Sequence, residues 1–84
     1  MLSTDIEIFL SYLESVKQYS PHTLIGYQRD LEKLSENMKN LGLEDWGSVK
    51  EHDLRTFVNA ERRRGLSPRS IQRLLSSCRS FLSI

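Results

Sequence analysis

Arg69, Ser70, Gln72, Arg73, Ser76 and Arg79 form a run of hydrogen-bond donors with no carboxylate among them. Arginine forks, an amide and short hydroxyls suit phosphate oxygens and the base edges of a major groove. The same composition also describes an ordinary solvated helix face. The two readings part company on whether the fold gathers these side chains on one surface.

Other chemistry is sparse. His22 and His52 are the only histidines, and neither stands at a ligand spacing with a carboxylate or a cysteine, so no metal is expected. There is no glycine-rich phosphate loop. No Ser/His/Asp or Cys/His set can be assembled, so no catalytic residue is nominated and no cofactor is expected. The single cysteine, Cys78, falls on the apolar side of a helical pattern and reads as a small buried hydrophobe. His22, in the first turn of a predicted helix, reads equally as a phosphate contact or as plain solvent exposure.

The donor run belongs to a helix predicted over 68–83. Ser67 is its N-cap and Pro68 suits the first helical position, where a missing N–H leaves nothing unpaired. Ile71, Leu74, Leu75, Cys78 and Leu82 recur at helical spacing and form its buried side. The same grammar appears earlier: Ser20-Pro21-His22-Thr23-Leu24 matches Ser67-Pro68-Arg69-Ser70-Ile71 position for position. Both starts offer free N–H groups and partial positive charge to an anion, although Ser-Pro is also simply a good way to begin a helix.

The remaining elements follow the same logic. A first helix is expected over 4–18, starting at Ser3 or Thr4, with a capping box at Thr4-Asp5-Ile6-Glu7 and an apolar stripe of Ile6, Phe9, Leu10, Leu13 and Val16. The second, over 21–41, carries Leu24, Tyr27, Leu31, Leu34, Met38 and Leu41 at helical spacing and ends before Gly42. Leu43 to Ser48 connects, and Trp46 within it reads as a core anchor or as a base-stacking residue. A third helix, over 50–64, places Glu51 and Asp53 in its first turn and Arg62, Arg63 and Arg64 in its last, both favourable to the helix dipole. No β-like alternation appears, so the fold class is all-α, a four-helix bundle.

Bulk properties agree. Eighty-four residues make one small domain. No apolar run is of membrane length, the first residues lack the basic and apolar stretches of a signal peptide so none is expected, and one cysteine fits a reducing, cytoplasmic setting. The net charge of +1 hides segregation: residues 62–84 carry six arginines and no acid, whereas residues 1–61 carry six basic residues against eleven acidic ones. Such asymmetry suits a domain that presents one face to a polyanion, and is also found on ordinary surfaces of mixed sign.

Three stretches together carry a resemblance. They are Phe9-Leu10-x-Tyr12-Leu13; Ser20-Pro21-His22-Thr23-Leu24-x-x-Tyr27-x-x-Asp30-Leu31; and Arg64-Gly65-Leu66-Ser67-x-x-Ser70-Ile71-x-Arg73-Leu74-Leu75-Ser76-Ser77-x-Arg79-Ser80-Phe81. In order and spacing they resemble the N-terminal core-binding, SAM-like domain of tyrosine recombinases. The Xer recombinases are closest, the XerC group more than the XerD group, with phage and integron integrases behind them. Position 70 departs mildly from the pattern, with Ser where Thr is usual.

The resemblance implies a small helical bundle that clamps one face of a recombination half-site in double-stranded DNA, its second and fourth helices approaching the major groove. Carried onto this sequence, that points to His22, Thr23, Gly26 and Arg29 on helix two. On helix four it points to Arg69, Ser70, Gln72 and Arg73, with Arg64 at the turn before it. The family's catalytic arginines, histidines and lysine and its tyrosine nucleophile lie in a C-terminal domain beyond the position of Ile84. Tyr12, Tyr19 and Tyr27 do not match the nucleophile's context, so these residues are expected to bind DNA and not to cut it. Implied partners are the catalytic domain of the same protein and partner recombinase subunits, with no membrane. A protein-interaction bundle whose Arg-rich face meets an acidic partner is the rival from another class.

Overall fold

The computed structural model describes residues 2–43 and 45–83, with side chains from Thr4 onward. Four helices succeed one another: α1 Leu2–Ser15, α2 Pro21–Asn40, α3 Glu51–Arg63 and α4 Pro68–Leu82. A single 3₁₀ turn, Trp46–Ser48, lies between α2 and α3, and no strand occurs among the described residues. The all-α, four-helix expectation holds. No helix among those residues is long and apolar enough to cross a membrane.

The two Ser-Pro starts form as read. Ser20 and Ser67 adopt the same extended conformation (φ −68°, ψ 154° and φ −66°, ψ 156°), and each accepts the N–H three residues on. Those bonds are 3.3 Å from Thr23 and 3.2 Å from Ser70. The glycine stops also form. Gly42 (φ 78°) and Gly65 (φ 100°) take the left-handed conformation, and the following N–H groups return to Met38 and Glu61.

Helix α1 departs from expectation at both ends. It is already helical at Leu2, so Thr4 lies inside the first turn and cannot act as N-cap; the capping box with Glu7 is not its start. The side chain of Ser3, the other expected start, is outside the described residues. At the far end α1 stops at Ser15, not 18, because Gln18 turns left-handed (φ 56°) and the Tyr19 N–H bonds back to Leu13 at 3.0 Å. A non-glycine residue in that conformation is uncommon and leaves little signature in sequence. Val16, expected in the apolar stripe, therefore falls past the helix and is 63% exposed. Leu41, expected in the apolar pattern of the second helix, is likewise past its last turn, as the C-cap, and is 55% exposed.

The helices pair as α1 with α2, α3 with α4, and α2 with α4. The short links 16–20 and 64–67 make the first two pairs hairpins. Leu31, Leu34, Met38, Leu74 and Cys78 are fully buried at the centre. Phe81 closes one end, meeting Phe9 and Trp46 edge-on at centroid distances of 5.2 and 4.7 Å. Trp46 is thus a core anchor. Phe81 and Ser77 join Ile71, Leu74 and Cys78 on the buried side of α4, while Leu75 and Leu82 are only half-buried at its margin.

Burial first, and the nearby Asp30 charge second, push the Cys78 thiol up to about 12. The folded protein should therefore resist iodoacetamide at neutral pH and react only as fast as it unfolds in denaturant. Prompt labelling without denaturant would contradict this. The sign for stability follows: the contribution is complete below the unfolded thiol's value near 9.0 and is lost as pH rises towards about 12, seen as a falling midpoint in alkaline thermal melts.

Candidate nucleic-acid interface

Helices α2 and α4 cross where Gly26 and Asp30 meet Arg73 and Ser77. Asp30 is 1% exposed. Its carboxylate accepts from Arg73 Nε at 2.8 Å, from Arg73 Nη2 at 2.9 Å and from Ser77 Oγ at 3.1 Å. The Ser77 hydroxyl lies 3.1 Å from the Leu74 carbonyl as well. The hydrogen bond to Asp30 raises the Arg73 guanidinium above its ordinary value, against the opposing effect of burial. Gly26 is buried beneath the same side chain: a Cβ there would stand 3.2 Å from both Cδ and Nε of Arg73. Gly26, expected as a DNA contact, is buried and clears the space in which Arg73 lies.

Two polar rows pass through this crossing. On α2, His22, Gly26, Arg29 and Lys33 recur at spacings of four and three, and on α4, Arg69, Arg73, Ser76 and Ser80 do the same. All of them are exposed apart from Gly26, and neither row contains a carboxylate. Each row begins in the first turn of its helix, at the end where the macrodipole is positive. Among the described residues Arg29 and Arg69 make no ion pair.

The other expected contacts are distributed as follows. Thr23 and Ser70 are half-buried, and their hydroxyls engage the caps, 2.9 Å from Ser20 Oγ and 3.1 Å from Ser67 Oγ. Gln72 is exposed and flanks the α4 row, three residues from Arg69 and four from Ser76. Arg64 is exposed at the turn into α4, its guanidinium 3.5 Å from the buried carboxylate of Glu61. Arg79 leaves the cationic face altogether, held by Glu51 at 2.9 Å, which Arg55 also approaches at 3.8 Å. The donor run that carries no carboxylate of its own thus receives two from elsewhere, Asp30 and Glu51. Lys33 was missed in the sequence, although the spacing 26–29–33 would have included it. Asp30 stands in the stretches that carry the resemblance, but no local spacing links it to its partners, which lie 43 and 47 positions away.

No metal-binding group of three or more His, Cys, Asp or Glu exists among the described residues. A surface groove lies elsewhere, between α1 and α2, and is lined by Glu7, Glu32 and Glu36 as well as Lys39. Its acidic lining contrasts with the cationic rows at the crossing of α2 and α4.

Comparison with known proteins places residues 6–84 within the phage integrase, N-terminal SAM-like domain family. A tyrosine recombinase XerC of Xanthomonas campestris pv. campestris (strain B100) is 49% identical over 76 residues, covering 90% of this chain and 24% of that protein. The tyrosine recombinase XerC of Pseudomonas aeruginosa (strain LESB58) is 44% identical over 80 residues, 95% of this chain and 26% of that protein. One from Pseudomonas putida (strain F1, ATCC 700007) is 37% identical over 80 residues, 95% of this chain and 27% of that protein. The chain thus spans about a quarter of the length of the curated relatives it matches. No solved structure matches.

Proposed function

This chain belongs to the phage integrase N-terminal SAM-like domain family, and we propose that it is the DNA-binding, non-catalytic domain of a Xer-type site-specific recombinase. It clamps a recombination half-site in duplex DNA through α2 and α4. Strand cutting belongs to a separate catalytic domain of the same protein, and strand exchange, with chromosome dimer resolution as its outcome, to an assembly with partner subunits. The observation that carries the reading is the pair of carboxylate-free rows crossing at Gly26 and Arg73.

The chemistry follows from that arrangement. Arg29, Lys33 and Arg69 supply sequence-blind attraction to phosphates, strengthened by counterion release. The Ser20 and Ser67 caps leave further first-turn N–H groups for backbone oxygens. His22 and Gln72 lie at the edges of the contact. Two domains gripping opposite faces of the half-site raise the affinity of the whole protein above that of this domain alone.

Selection from a pool of duplexes randomised over one helical turn, followed by competition with polyglutamate, tests the reading. A preferred duplex should emerge and should outcompete the acidic polymer. Enrichment of no sequence, together with equal displacement by polyglutamate, would favour an acidic protein partner instead. Incubation with supercoiled DNA should yield neither relaxation nor a covalent adduct. No hydrogen bond or ion pair joins Tyr12, Tyr19 or Tyr27 to a basic side chain among the described residues; Tyr19 and Tyr27 pack edge-on against each other. A DNA-linked tyrosine would overturn that part.

A further inference from the structure

The guanidinium of Arg73 is tied down on one edge and open on the other. It carries five N–H donors: one on Nε and two on each terminal nitrogen. Asp30 takes the Nε–H and one hydrogen of Nη2. Three remain, and two of these, one on Nη1 and one on Nη2, point in parallel from the tip of the fork. That is the geometry for a bidentate contact, and the side chain is 42% exposed although its partner is buried. The plane of the fork is fixed by three elements: the Asp30 carboxylate, the Ser77 hydroxyl that holds this carboxylate, and the flat floor at Gly26.

An arginine used only for phosphate attraction gains little from such fixing, since phosphates offer oxygens in many directions. A base edge is different. Guanine presents O6 and N7 side by side in the major groove, and only a fork held in plane meets both. We infer that Asp30 is a positioning residue, acting through Arg73 to aim its Nη1–Nη2 tip at a guanine of the half-site, with Gly26 as the clearing that lets the fork lie flat. The inference rests on the DNA-binding reading above and adds to it the residue that reads sequence and the base it reads.

The test uses the 84-residue chain and the same randomised duplex pool, with folding followed by circular dichroism. Wild type should enrich guanine at one fixed position, favoured there over other bases by about five- to 150-fold. Asp30→Asn keeps the shape but loses the charge and half of the bidentate grip; it should lose most of that preference while leaving the salt dependence unchanged. If Asp30→Asn does not fold, Gly26→Ala decides. Alanine favours the helix, so the fold survives, but its Cβ shifts the fork by a few tenths of an ångström and should also erode the guanine preference. Leu54→Ala, in the core of α3 away from Arg73, lowers stability and should leave the preference intact.

A folded Asp30→Asn or Gly26→Ala protein that keeps the wild-type guanine preference would overturn the inference. So would a loss that is equal on all duplexes and accompanied by a shallower salt dependence, the signature of a phosphate contact. Absence of any preferred sequence with the wild type sinks the DNA-binding reading and this inference together. A preference that ignores both variants sinks the inference alone.

Discussion

Replacing Arg73 by alanine lowers the stability of the fold by about 2–4 kcal/mol. The cost comes from what is left behind. Asp30 is 1% exposed, and without the guanidinium its carboxylate retains only the Ser77 hydroxyl. Stranding a buried charge costs about 3–5 kcal/mol. Arg73 itself is 42% exposed, so water screens part of its attraction and the lower figure applies. For a domain of this size the thermal midpoint should fall by about 10 °C or more. Exchanging both partners for apolar residues of similar volume, Asp30→Leu with Arg73→Met, should recover much of the loss, since no unpaired charge then remains. Thermal melts of the wild type, the single variant and the pair check this. A loss below about 0.5 kcal/mol, the scale of a surface pair, would show that the contact is not a buried ion pair in solution.

The second large effect is on DNA. Changing Arg64 and Arg69 together to alanine should weaken binding to every duplex alike and make the dependence of log affinity on log salt shallower by about 1.8. The consequence is checkable without knowing the site: a fourfold dilution of salt should widen the gap between wild type and variant roughly twelvefold. Neither residue is in the core, and both are exposed, so thermal stability should hardly change. Arg69 alone should account for at least half of the change in slope, because Arg64 already leans on Glu61 at 3.5 Å whereas Arg69 has no carboxylate partner among the described residues. An unchanged slope, or chemical-shift changes on α1 with none on the first turns of α2 and α4, would show that DNA meets another face.

Most of the architecture was determined by the sequence, because the signals are local. A serine cap followed by proline, a glycine whose left-handed conformation ends a helix, and apolar residues at spacings of three and four depend only on neighbours a turn away. They place α2, α3 and α4 to within a residue or so of 21–41, 50–64 and 68–83. The exception, the end of α1, is instructive: Gln18 takes a conformation with no residue-type signature there, and one such residue moves Val16 from core to surface.

The candidate site was legible as a composition and not as a set of roles. Arg69 and Arg73 look alike in the sequence, four positions apart on one helix. Tertiary structure separates them: Arg69 is left without a carboxylate partner among the described residues, and Arg73 is locked to Asp30, 43 positions away. Gly26 is named from the sequence only as an implied DNA contact, and its role under Arg73 emerges when α2 and α4 cross. Arg79 reads as part of a cationic face until the α3–α4 hairpin delivers Glu51. Ion pairs between distant segments depend on where helices cross, and crossings are settled by the shape of the whole core, which no local window of sequence contains.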